Sequence, residues 1–251
     1  ALSDSLVGIR ALRLRSHIFA SDLVRFIQDM EHLNRLNLDG TVQDDSARTI
    51  SCSSLRILVA EDQKVLAYVN MPNLSSLRIQ HKSDAKSWNS TGVQLDRSFA
   101  PSVHSLSLDT TLADIVLVNG SDFTQLLTLN WMNRYAGYCY PHCSFPSLTK
   151  VSFNGRHAPL GASYFCELLL RYPRNCPSLE TIAIHGYPEW DMLLYMLLRR
   201  NVYHGRDNVS RITNIELPRY PAPWILVPLS ALLLGKIPLA MPPPEELSFV
   251  D

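Results

Sequence analysis

The sequence predicts an α/β solenoid, a stack of similar coils that each contribute one strand to a parallel sheet. Two observations predict it. Residues 175–201, NCPSLETIAIHGYPEWDMLLYMLLRRN, join a strand-like pattern, Leu179-x-x-Ile182-x-Ile184, through a Gly186/Pro188 turn to an amphipathic run. In that run Trp190, Leu193, Leu194, Leu197 and Leu198 fall on one helical face. Neither piece can bury its apolar side alone, so the unit must stack on copies of itself. The second observation is that the copies exist. The template apolar-x-x-apolar-x-apolar starts at Ile9, Leu33, Leu55, Leu74, Val103, Leu126, Leu148, Leu179 and Ile212, nine times in all.

Within each unit the fourth and sixth positions are expected to point into the stack, and the third, fifth and seventh to point out, because side chains alternate along a strand. The phrases MPNL (71–74), FPSL (145–148) and CPSL (176–179) introduce strands, with proline setting the chain direction without interrupting a ladder. Return segments in the longer units look helical. Ser21 is the expected N-cap of a helix whose buried face is Leu23, Phe26, Ile27 and Met30. Phe165, Leu168, Leu169 and Tyr172 repeat that spacing, as do Ile225, Leu229, Leu232 and Leu233 after Pro221 and Pro223. The short unit 55–74 leaves room only for turn or extended structure. Polar residues 80–98 and 41–54 read as surface insertions, and one domain covers residues 1–251.

Composition narrows the class. Lys+Arg 23 balances Asp+Glu 23, which argues against nucleic acid or a membrane surface as partner. Five cysteines at irregular spacing argue for a reducing compartment, cytoplasmic or nuclear. The apolar stretch 224–241 is broken by Pro228, Gly235, Lys236 and Pro238, so it reads as a helix and exit loop rather than a membrane span. The first residues carry no signal-peptide pattern, and the chain is expected to be a piece of a longer protein.

Most spacings between starts fit the 20–29 residues of leucine-rich repeats, which implies a horseshoe with a concave parallel β-sheet and convex helices or irregular turns. FPSLTKVSFNG (145–155), CPSLETIAIHGYPEWDMLLYMLLRRN (176–201) and ITNIELPRYPAPWILVPLSALLLGK (212–236) resemble, more specifically, the F-box/leucine-rich-repeat proteins abundant in mushroom-forming (agaricomycete) fungi. The resemblance implies the substrate-recognition region of an SCF-type ubiquitin ligase. Contact with the Skp adaptor and cullin would be made through an F-box, and no F-box-like segment precedes Ile9. The ninth template positions hold His17, Thr41, Gln63, Lys82, Thr111, Arg134, Arg156, Tyr187 and Tyr220 where many such repeats carry asparagine, which implies irregular curvature.

A protein partner is expected on the concave face, with the chain a monomer. The candidate contact residues are Arg13, Arg15, Arg35, Asn37, Arg78, Asn130, Asn154 and His185. The arginines suggest a patch for an acidic or phosphate-bearing peptide, although Asp39 and Glu61 fall within it, as they would on an ordinary solvated face. Cys139-Tyr-Pro-His142-Cys143 lacks the second Cys/His pair a zinc site needs. Sequons at Asn73, Asn89, Asn119 and Asn208 support an alternative, a secreted or cell-surface ectodomain binding an extracellular ligand. No nucleophile elbow, phosphate loop or dinucleotide fingerprint occurs, and His81, His104, His157 and His204 have no motif around them. No catalysis, metal or cofactor is expected.

Overall fold

The computed structural model describes residues 8–43, 45, 48–61, 64–81, 102–110, 123–132, 144–155, 158–203 and 208–238. It begins β1 (Ala11–Leu14), β2 (Ile18–Phe19), α1 (Ala20–Gln28), β3 (Arg35–Leu38), β4 (Val42–Gln43), β5 (Ile50–Ser51) and β6 (Ile57–Ala60). It continues with α2 (Val65–Tyr68), β7 (Val69–Asn70), β8 (Ser76–His81), β9 (Ser105–Thr110), β10 (Thr128–Trp131) and β11 (Lys150–Phe153). Last come α3 (Ala158–Arg171), β12 (Thr181–Ile184), α4 (Trp190–Leu197), β13 (Asn214–Glu216) and α5 (Pro223–Leu233).

Nine of these strands form one parallel sheet in the order β1-β3-β6-β8-β9-β10-β11-β12-β13. Each interior strand therefore lies between the sheet strands that precede and follow it in sequence. The register is the template itself. Leu12, Leu36, Leu58, Leu77, Leu106, Leu129, Val151, Ile182 and Ile215, all fourth positions, are successive Cα partners. From β3 to β12 the fourth and sixth positions are buried, whereas Leu12, Leu14, Ile215 and Leu217 in the end units are only partly covered. A strand with one neighbour can hide its apolar side on one flank only.

The entry to each strand is equally regular. Leu33, Leu74, Leu126, Leu148 and Leu179 each donate their N–H to the carbonyl three residues earlier, on the buried Met30, Met71, Phe123, Phe145 and Cys176. Two of these turns carry no proline, so a buried residue three places before the leucine is the common element. Next, the second-position carbonyl of one unit accepts from two N–H groups of the following unit. Arg10 O takes Asn34 and Arg35, Asn34 O takes Arg56 and Ile57, and the pattern runs on to Glu180 O with Thr213 and Asn214. Each strand's entry is thus tied to the preceding unit by backbone hydrogen bonds before any side chain contributes.

The return segments differ from expectation at several points. Phe19, not Ser21, is the N-cap of α1; Ser21 sits inside the helix, where its N–H donates to the Asp45 carboxylate at 3.0 Å and its hydroxyl binds the same group. A carboxylate from the next unit therefore does the capping. Leu23, Ile27 and Met30 are buried as the spacing predicts, but Phe26 and Tyr172 are exposed. The stretch 41–54 is not simply a surface insertion, because Val42 and Cys52 are buried and its two short strands pair in parallel, β4 with β2 and β5 with β7. The short unit holds a single helical turn, α2. Residues 82–98 lie outside the described residues. In the C-terminal units α3, α4 and α5 lie side by side, and α3 packs on β11 and β12.

After α4 the helix widens into a π-turn over Leu198–Tyr203. This keeps the adjacent Arg200 and Asn201 both buried. Arg200 donates to the carbonyls of Ser210 (3.0 Å), Pro173 (3.1 Å) and Cys176 (2.7 Å). Asn201 Nδ2 donates to the carbonyls of Ile212 and Leu232, and its Oδ1 accepts from the Ile212 N–H. Among the described residues no helix is long and apolar enough to cross a membrane.

Candidate functional site

The face of the sheet opposite the buried leucines carries the candidate residues. Its fifth-position row runs Arg13, Asn37, Val59, Arg78, Ser107, Asn130, Ser152, Ala183 and Glu216, each the Cα partner of the next. Most of these side chains are exposed or half-buried, but Ser152 and Ala183 are 6% and 3% exposed. A long ion pair explains Ala183. Lys150 Nζ on β11 donates to both Glu216 carboxylate oxygens on β13 at 2.7 Å, crossing β12. A methyl at Ala183 is small enough to lie beneath that bridge.

The arginines do not act as one patch. Arg13 forms an ion pair with Asp39 at 2.5 Å, and Arg15 reaches the same oxygen at 4.0 Å. Arg78 lies along the sheet, donating to the Met132 sulfur at 3.8 Å. With its amide oxygen turned toward the guanidinium, Gln80 also accepts from Arg78 at 2.8 and 2.6 Å. Arg35 has one weak contact, Nε to Asn37 Oδ1 at 3.3 Å. Asn130 donates to Ser107 Oγ at 3.1 Å, one rung away. Asn154 and His185 leave β11 and β12 side by side, their N–H groups donating to Trp131 O and Phe153 O. The eight residues therefore share one face but divide into an N-terminal group, a central group and a C-terminal pair.

Three features of this face escaped the sequence reading. The Lys150–Glu216 bridge spans two units, and only the small Ala183 between them hints at it. The ninth positions His17 and Thr41 share a hydrogen bond of 2.6 Å, which links the first two units by a polar pair. A cleft of about 600 Å³ opens beside β1, β3 and β6, and Arg10, His32, Asn34 and Arg35 line it. Arg10 and Asn34 are second positions, which the template leaves unassigned.

Among the described residues no group of three His, Cys, Asp or Glu side chains is placed to hold a metal. The Cys139–Cys143 segment lies outside the described residues, as do Asn89 and Asn119. Asn73 is exposed, with its amide donating to Ser53 O at 2.9 Å. Asn208 is exposed in a turn at φ 55°. Cys52, Cys166 and Cys176 are buried cysteines. Burial pushes the Cys166 thiol up to about 12, with Glu189 adding to the shift. Burial pulls the Arg200 guanidinium below the ordinary arginine value.

No family model matches the chain, and no curated protein does. Among solved structures it is similar to a crystal structure of a Bacteroides fragilis protein, with 15% identity and a TM-score of 0.43. The match covers 81% of this chain and 52% of that one, so the chain spans about half the length of that neighbour. At this distance the likeness says nothing of function. What the coordinates define is an α/β protein with a nine-stranded parallel sheet laid down in sequence order.

Proposed function

We propose that the chain is a leucine-rich-repeat solenoid that recognises a protein partner, and that it serves as the substrate-recognition region of an F-box protein in an SCF-type ubiquitin ligase. The observation that carries this reading is the separation of the two sheet faces. Fourth and sixth positions form a continuous buried row, while polar side chains at the fifth positions stand on the other face over most of nine strands. A stack that buries one side of every strand and fills the other with varied polar groups suits an extended protein contact. The fungal-type phrases at 145–155, 176–201 and 212–236 supply the ubiquitin-ligase context. No catalytic role is assigned. Capture of the Skp adaptor by the full-length parent tests the ligase reading; a folded parent that captures none removes it.

A second reading, a secreted or cell-surface ectodomain, draws on Asn208, an exposed sequon asparagine in a turn. Buried free thiols at Cys52 and Cys166 favour the first reading. A mobility shift of the natural protein on endoglycosidase treatment would reverse that order.

A further inference from the structure

We propose that the cleft beside β1, β3 and β6 binds a dianionic phosphate monoester carried on a peptide segment of the partner protein. The proposal rests on the recognition reading for the source of the phosphate. Its chemistry rests on the cleft alone.

The cleft has a volume of about 600 Å³ and draws its donors from Arg10, His32, Asn34 and Arg35. Three of them are tied together by backbone, because the Arg10 carbonyl accepts from the N–H groups of Asn34 (2.8 Å) and Arg35 (3.0 Å). Arg35 stands between Ala11 and Ile57 in the third-position row, and the short Ala11 leaves its guanidinium space on one side. Among the described residues no carboxylate lines the cleft; Glu31 adjoins His32 in the chain but is not part of the lining. Two neighbouring arginines are already occupied. Arg13 is held by Asp39, and Arg56 donates to the carbonyls of Ser53 and Asn73. Arg10 and His32 have no such partner among the described residues, and Arg35 has only the long Asn37 contact.

Two uncompensated guanidiniums in one concavity favour an anion, since an arginine fork binds carboxylate or phosphate oxygens in pairs. The donor count favours phosphate. Two guanidiniums, an imidazole and an amide offer more N–H groups than a carboxylate's two oxygens use well, whereas a phosphate monoester presents three strong acceptors and close to two charges. Nucleic acid is a poorer fit, because among the described residues no Phe, Tyr or Trp lines the cleft for base stacking and the chain's net charge is +0.

The test is a titration of the intact 251-residue chain, followed by amide chemical shifts, with acetyl-Gly-Gly-phosphoserine-Gly-Gly-amide. The unphosphorylated peptide and inorganic phosphate are titrated in parallel. The phosphopeptide should saturate with shifts centred on Arg10, Asn34 and Arg35, and the serine peptide should not. The double variant Arg10→Gln/Arg35→Gln should weaken binding by about tenfold or more while Arg25→Gln, outside the cleft lining, leaves it unchanged. A thermal melt establishes that the double variant is folded. No saturation by about 10 mM, or undiminished binding in the double variant, overturns the proposal. Inorganic phosphate binding as tightly as the phosphopeptide overturns the peptide source. If a partner protein is captured equally by the double variant, this site falls and the recognition reading stands. If the phosphopeptide binds but no protein is ever captured, the recognition reading falls instead.

Discussion

Arg200 places a heavy demand on the fold, a guanidinium buried among carbonyls with, among the described residues, no carboxylate accepting from it. Its attachments reach the turn before β12 and the approach to β13, so one side chain ties two units to the π-turn. Arg200→Met strands several buried acceptors, each worth about 1–3 kcal/mol, and should lower stability by at least about 3 kcal/mol in a urea melt. Arg200→Lys should restore less than half of that loss, because one ammonium cannot reach three separate directions. Ile182 and Arg78 test the two faces. Ile182 is fully buried, and Ile182→Ala should cost about 2–5 kcal/mol. Arg78→Ala, half-exposed on the other face, should cost less than about 1 kcal/mol. Equal losses would show the register to be wrong.

Cys166 gives a pH signature. A thiol held up to about 12 in the folded chain keeps its proton where the unfolded chain, near 9.0, loses it. Above pH 9 the unfolded state therefore binds fewer protons, so stability falls as pH rises and levels off near pH 12. The slope should approach about 1.4 kcal/mol per pH unit, and Cys166→Ala should remove that component. Urea midpoints of the two proteins between pH 8 and pH 11 give the comparison.

At the scale of elements, the sheet strands and their register were legible because one face is fully dry. A slip of one residue would turn every leucine outward, so the pattern permits a single register. What the sequence hid depends on neighbouring units. Asp45 caps α1 from the next coil, and no local pattern around Ser21 can reveal that. Asp45→Ala should destabilise the protein by about 0.5–2 kcal/mol, whereas removing the Ser21 hydroxyl alone leaves the carboxylate on its N–H and should cost less; paired urea melts check the order. The Lys150–Glu216 bridge was hidden for the same reason, since its ends lie 66 residues apart. The helix end at Gly235 was closer to legible. Its φ of 70° and the Lys236 N–H bond to Ala231 O form the left-handed exit that glycine favours. The cleft arose from second-position residues, Arg10 and Asn34, which the apolar template leaves free to vary. Its donors could be read from the sequence, but their convergence could not.

For the whole molecule, the end strands show what stacking contributes. Leu12 and Ile215 occupy the same template position as Leu106, yet only Leu106 is fully buried. Each strand's buried row stays dry because of its neighbours, and the opposite face is largely exposed or half-buried. The most direct check is a cysteine scan through β9 in a background carrying Cys139→Ser and Cys143→Ser, where Cys52, Cys166 and Cys176 are buried and silent. The account predicts that Ser105→Cys and Ser107→Cys react with a thiol reagent in the native protein, while Leu106→Cys and Leu108→Cys react only after unfolding in urea. Uniform reactivity along the strand, or the opposite alternation, would contradict it.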